Sequence, residues 1–195
     1  MAEDQDWIGQ LASLLRTTAA TDRRGGVLDL EAAFAAAGAI LMEARRQGRK
    51  ALVAGNGGSA AIAAHVQTDL AHSAGLRALV LHEPTLLTAQ SNDHGYEQAF
   101  ANLCGLWGDP GDVLIAVSSS GRSPNMLAAA RRAREHGLAI LTCTGFSPDN
   151  PLRRLGDVNF HVPCAAYGLV ESAHAVLLHQ LTDRLFQAVG PGGRP

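Results

Sequence analysis

The sequence predicts an α/β fold: a doubly wound, five-stranded parallel sheet flanked by helices, preceded by an N-terminal helical hairpin. Three observations carry this. Five short apolar runs alternate with segments of helical length, the order that right-handed strand–helix–strand units produce. The longest runs are apolar throughout instead of alternating, as strands covered on both faces are. Glycine- or serine-rich turns follow the first and third runs, where parallel sheets bind their ligands.

Taken in order, residues 6 to about 47 carry apolar positions at helical spacing in two stretches, Trp7 to Leu15 and Val27 to Leu41. Thr21-Asp22-Arg23-Arg24-Gly25-Gly26 separates them, so residues 1–47 read as a hairpin of helices that packs in an oligomer. The strands follow at Ala51–Ala54, Ala78–Leu81, Val113–Val117, Ala139–Cys143 and Val158–Val162. Helices are expected at 59–73, 95–107, 124–136 and 169–188, within one sheet-bearing unit of residues 48–189. The tail 190–195, Gly190-Pro-Gly-Gly-Arg-Pro195, reads as disordered.

The chain has 195 residues and a formal net charge of -2, with Lys+Arg 16 against Asp+Glu 18, so no basic surplus exists to neutralise a nucleic-acid backbone. An acidic N-terminus and the lack of any run of about 18 apolar residues exclude membrane spanning and argue against secretion. Cys104, Cys143 and Cys164 form no CxxC pair, which fits a reducing cytoplasm and small core residues in place of disulfides.

Gly55-Asn56-Gly57-Gly58-Ser59-Ala60 joins the first strand directly to a helix. Asn56, Gly57 and Gly58 let backbone N–H groups approach an anion, and Ser59 suits the N-cap. The same letters satisfy the relaxed dinucleotide pattern G-x-G-x-x-A, with Glu83 placed for a ribose, and they also suit a tight turn with no ligand. The third strand ends in Ser118-Ser119-Ser120-Gly121-Arg122-Ser123-Pro124, with Ser123 at N-cap and Pro124 at N1. Serines in such a loop also satisfy their own backbone. Two cradles on one sheet suit a single phosphate held between loops better than a dinucleotide.

Two helices carry acid, base and metal candidates. His65 and Asp69 are four apart and share a helix face. In the last helix Glu171, His174 and His179 are available, and Glu171 and His179 lie about 80° apart around the axis on the 3.6-residue period. His65, Asp69, Glu171 and His179 make a credible set for a divalent metal, zinc above all. The remaining histidines, His72, His82, His94, His136 and His161, read as surface or hydrogen-bonded residues.

These motifs together, with Ser91-Asn92-Asp93, Gly111-Asp112-Val113-Leu114 and the stretch Glu171 to His179, resemble the sugar isomerase (SIS) domain family from about Leu28 to Val189, and within it the phosphoheptose isomerases. The resemblance implies aldose–ketose isomerisation of sedoheptulose 7-phosphate through an enediol. It implies that Ser59, Ser118, Ser119, Ser120 and Ser123 hold the sugar phosphate, with Asn56, Gly57, Gly58, Asp93 and Glu171 also at the substrate. Asp69 and His179 take the positions of the proton-transfer pair, and some family members bind metal at His65, Asp69, Glu171 and His179. A homotetramer with active sites at subunit boundaries is implied as well. The sequence departs from the family at Asp69 (usually Glu), Glu171 (usually Gln), Arg122 (usually Asn), Ser73 (usually Arg) and Gly168-Leu169-Val170 (usually Asp-Arg-Ile). Those departures motivate an alternative, a non-catalytic module that binds a phosphosugar or a protein partner.

Overall fold

The computed structural model describes residues 6–190. The chain runs α1 (Trp7–Thr17), β1 (Ala19–Asp22), β2 (Val27–Leu28), α2 (Leu30–Arg46), β3 (Lys50–Gly55), α3 (Gly58–His72), β4 (Arg77–Val80), α4 (Pro84–His94), α5 (Tyr96–Trp107), β5 (Val113–Ser118), α6 (Pro124–Glu135), β6 (Ala139–Thr144), a 3-10 turn (Leu152–Arg154), β7 (Val158–His161) and α7 (Tyr167–Val189). All five expected parallel strands are present, in the order β4-β3-β5-β6-β7.

The sheet has seven strands instead of five, because the segment expected to be a plain interhelical turn forms an antiparallel hairpin that extends the β7 edge. Its turn is tied by Asp22, whose Oδ1 accepts the N–H groups of Arg24 and Gly26, both at 2.8 Å. Strands this short carry no hydrophobic period to read, and Val27 and Leu28, expected in the second helical stretch, form β2 instead, α2 starting at Leu30. Helix α4 also escaped the sequence pattern, and for a related reason: none of its residues is buried. Caps define it instead, with Pro84 in its first turn and the Glu83 carboxylate accepting the Leu86 N–H at 2.8 Å. The tail beyond Gly190 lies outside the described residues.

Alternate strand residues feed two cores. Ala51, Val53, Val113, Ile115 and Val117 pack with α2, α3 and α7 on one face, while Leu52, Ala54, Leu114, Ala116 and Ile140 pack with α5 and α6 on the other. The chain leaves β3 outward to β4 and returns on the opposite side as β5. The direction of winding therefore reverses between β3 and β5, so a crevice opens where both strands end. Gly55 and Val117 are register partners there, which brings the two polar loops side by side.

Candidate active site

Asn56, Ser59, Ser118, Ser119, Ser120, Ser123, Tyr167 and Glu171 line one pocket of about 140 Å³ at this crevice. The N-termini of α3 and α6 meet beside it, so their free N–H groups favour an anion. Gly57, at φ 54, is the residue before α3 and Gly58 starts the helix. Ser59 is therefore one place inside the helix, and no side chain caps it, in contrast to the N-cap role expected of Ser59. Ser123 does precede Pro124 as anticipated, although its hydroxyl makes no capping bond.

The serines divide into two kinds. Ser118 Oγ accepts the Gly121 N–H at 3.2 Å and Ser120 Oγ accepts the Arg122 N–H at 3.3 Å, both closing their own loop. Ser119 is different: it is 4% exposed, and its hydroxyl has no hydrogen-bond partner among the described residues. A buried hydroxyl left unsatisfied is costly, and one that lines a pocket gains its partner when a ligand arrives.

Asn125, which the sequence reading passed over, locks the two loops together. Its amide donates to Asn56 Oδ1 at 2.9 Å while Asn56 Nδ2 donates to Asn125 Oδ1 at 3.0 Å. Tyr96 adds a third bond, its hydroxyl donating to Asn56 Oδ1 at 2.7 Å. No local spacing announces a pair separated by 69 residues. Tyr167, also unanticipated, stands at the pocket rim with its ring edge-on to Phe146, centroids 4.8 Å apart.

Further along α3 and α7, His65, Asp69 and His179 converge, one donor atom from each lying within 4.8 Å of the others. Asp69 Oδ2 is 3.3 Å from His179 Nδ1 and 3.6 Å from His65 Nε2, and the imidazole rings sit edge to face at 4.8 Å. Thr182 Oγ1, bonded to the His179 carbonyl, stands 3.5 Å from the same carboxylate oxygen. Both imidazoles are about half exposed and border an apolar pocket of about 240 Å³ with Ile62, Val66 and Ala175.

Glu171 does not join this cluster. Eight residues separate it from His179, a rise of about 12 Å along the helix, so a shared face does not mean a shared site. Its carboxylate instead lies over the start of α3, where a Cβ on Gly58 would collide with it. Asp93 does not line the cradle pocket either; it is exposed on α4 and accepts from Asn92 Nδ2 at 2.9 Å. Glu83, proposed for a ribose, is engaged as the cap of α4, and the bonded N–H groups hold its carboxyl below the usual range.

His174 is buried inside α7, its Nε2 3.0 Å from the Thr144 carbonyl. Burial pushes its pKa down to about 4. Cys104 and Cys143 are core thiols pushed up to about 12, also by burial, and are not nucleophiles.

A family model described as SIS domain matches residues 17–145. The chain belongs to the SIS domain family. Among SIS relatives, the phosphoheptose isomerase of Burkholderia pseudomallei (strain 1710b) is 43% identical over 141 residues, covering 68% of this chain and 70% of the relative. That of Bradyrhizobium sp. (strain BTAi1 / ATCC BAA-1182) is 36% identical over 184 residues, 90% of this chain and 91% of the relative. The solved phosphoheptose isomerase GmhA from Neisseria gonorrhoeae matches this SIS domain with a TM-score of 0.74 at 29% identity, covering 78% of this chain and 85% of that one. The Vibrio vulnificus NanR protein, solved with ManNAc-6P, shares the SIS fold at 18% identity and a TM-score of 0.66.

Proposed function

We infer that this chain is an aldose–ketose isomerase acting on a sugar phosphate, interconverting sedoheptulose 7-phosphate and a heptose 7-phosphate through an enediol. The relatives at 36% and 43% identity bear that activity in their names. The observation that carries the reading is the placement of an anion cradle at the start of α3 and an acid–base cluster further along the same helix. Ser59 and His65 are six residues apart on α3, a rise of about 9 Å, roughly the reach of an extended seven-carbon chain from its phosphate to its carbonyl.

In this reading Ser119, with Ser59, Ser120 and Ser123, donates hydroxyls to the phosphate while the two helix N-termini supply N–H groups. The sugar then extends along α3 and α7 towards Asp69. Asp69 carries the proton between the two adjacent carbons, and His179 moves the hydroxyl proton. His65 and Thr182 fix the Asp69 carboxylate from either side, which suits a base that must keep its geometry. Glu171 accepts hydroxyls of the sugar near its phosphorylated end.

Two imidazoles and one carboxylate with converging donor atoms fit zinc, so His65, Asp69 and His179 would hold a divalent metal and Glu171 would not. Such an ion would supply Lewis-acid polarisation of the carbonyl. The half-exposed imidazoles suit a homotetramer in which a second copy closes each site, Asp93 reaching substrate by that route, and the unpaired thiols suit a cytoplasmic protein.

Incubation of the purified protein with sedoheptulose 7-phosphate, with and without zinc, tests this directly through formation of the aldose. No turnover on any ketose phosphate, with phosphosugar binding retained, would turn the assignment to a non-catalytic phosphosugar-binding module.

A further inference from the structure

A second concavity, of about 420 Å³, shares no residue with the cradle or the histidine cluster. Its walls come from two segments distant in sequence. The β1–β2 turn supplies Asp22, Arg23 and Arg24, and the segment that follows β6 supplies Asp149, Arg153 and Arg154. A pair of arginines on an exposed turn is ordinarily a solvated surface. Here the fold sets a second pair across a pocket from the first, and like charges brought together oppose folding unless a counter-charge arrives.

The local carboxylates do not supply it. Asp22 spends Oδ1 on the backbone of its own turn, and Asp149 stands 3.6 Å from Arg154 with both side chains more than 70% exposed, where an ion pair is weak. Arg23, Arg24 and Arg153 have no carboxylate within 4.0 Å among the described residues. Arg153 is the least solvated of them: its Nη1 donates to the Pro148 carbonyl at 3.3 Å, and burial holds its pKa below the ordinary arginine value, a shift the nearby Asp149 charge opposes without cancelling. The pocket therefore has a positive excess inside a chain whose formal net charge is -2.

We propose that this pocket binds a small molecule carrying two phosphoryl groups, one for the arginine pair on each wall. The planar fork of a guanidinium matches phosphate oxygens two at a time, which favours that anion over chloride or a lone carboxylate. Its volume lies within the range of small-molecule sites. Among the described residues no aromatic side chain lines the pocket to stack a base, so recognition rests on the phosphoryl groups. The proposal stands independently of the isomerase reading.

Calorimetric titration of the metal-free full chain with inorganic pyrophosphate tests it. A Ser119→Ala background removes the Ser119 hydroxyl from the cradle, which would otherwise compete for the probe. Binding is expected to persist in that background and to weaken at least tenfold when Arg23→Gln and Arg153→Gln are added, with orthophosphate binding at least tenfold more weakly than pyrophosphate. Circular dichroism melting verifies that the arginine variants remain folded; should the pair not fold, Arg23→Gln alone is expected to show severalfold weakening. Absence of pyrophosphate binding at millimolar concentration, equal affinity with and without the arginine changes, or equal affinity for orthophosphate would overturn the proposal. So would arginine-dependent binding of duplex DNA in a protein that ignores pyrophosphate.

Discussion

The side-chain amides of Asn56 and Asn125 exchange two hydrogen bonds, at 3.0 and 2.9 Å, and so clamp the turn after β3 to the start of α6. Asn125 is 2% exposed, and its oxygen also accepts the Met126 N–H at 3.0 Å. Asn125→Ala removes every one of these contacts and strands the Asn56 Nδ2 group in a partly buried position, while Tyr96 keeps its bond to Asn56 Oδ1. We expect a loss of about 1–3 kcal/mol in urea unfolding. KM for the sugar phosphate should rise with little change in kcat, because the two halves of the cradle lose their register while Asp69 and His179 are untouched.

Ser119→Ala should separate binding from stability. The hydroxyl has no partner among the described residues, so its removal is expected to leave the unfolding free energy within about 0.5 kcal/mol of the parent. Phosphosugar affinity should fall by the 1.5–3 kcal/mol or so of a hydrogen bond to a charged group, roughly tenfold to a hundredfold in Kd. Ser118→Ala, which deletes a bond to Gly121 instead, should cost stability as well. Equal affinity of the parent and Ser119→Ala for the phosphosugar would remove Ser119 from the phosphate site.

The proton-transfer pair is tested by His179→Gln and Asp69→Asn, each expected to lower kcat on the order of a hundredfold or more with phosphosugar binding retained. Metal content by elemental analysis should fall in both, and added zinc should restore metal occupancy without turnover; partial recovery of activity would make the two residues metal ligands only. Asp69→Glu moves the carboxylate by roughly one methylene past His65, His179 and Thr182, and turnover should drop by about tenfold to a hundredfold. A gain in kcat would show that the shorter acid is a defect for the seven-carbon substrate.

Acid sensitivity should come from two buried histidines. His161, next to Thr144 Oγ1 at 3.2 Å, and His174 are each pushed down to about 4, in both cases chiefly by burial. In the unfolded chain a histidine takes up its proton near pH 6.5. Between that pH and about 4 the unfolded state binds more protons than the folded one, so stability falls as pH is lowered through this window. At 1.36 kcal/mol per unit the loss is on the order of 3 kcal/mol for each histidine. Urea midpoints measured from pH 7 to pH 4 should show the decline, and His174→Gln, which does not titrate there, should make it shallower.

The parallel strands were legible because β5 and β6 are buried on both faces and so read as runs that do not alternate, Val113 to Val117 apolar throughout and Ala139 to Cys143 broken only by Thr142. Helix α4 was not, since capping by Glu83 leaves no periodic trace and no residue of it is fully buried, Leu87 packing partly buried against the α5–α6 core. In the site, both serine-bearing loops stood out through their glycines and Pro124, and His65 with Asp69 through their spacing. The Asn56–Asn125 clamp could not be foreseen, because pairing between residues 69 apart depends on β3 and β5 becoming neighbours. Glu171 lies apart from His65, Asp69 and His179 within the chain because a shared angle around a helix says nothing of the rise along it.

The two margins of the sheet have a bearing on how the chain behaves in crowded solution. An exposed strand margin offers unpaired N–H and C=O groups on which another chain can grow. On one side the last strand is β2, only two residues long, too short to template a neighbour. On the other, β4 is four residues long, and the Val80 N–H that faces away from β3 is taken at 2.7 Å by the side-chain oxygen of Gln67 from α3. Gln67→Ala would free that donor beside the exposed Leu79, and the consequence to expect is strand-by-strand self-association rather than lost catalysis.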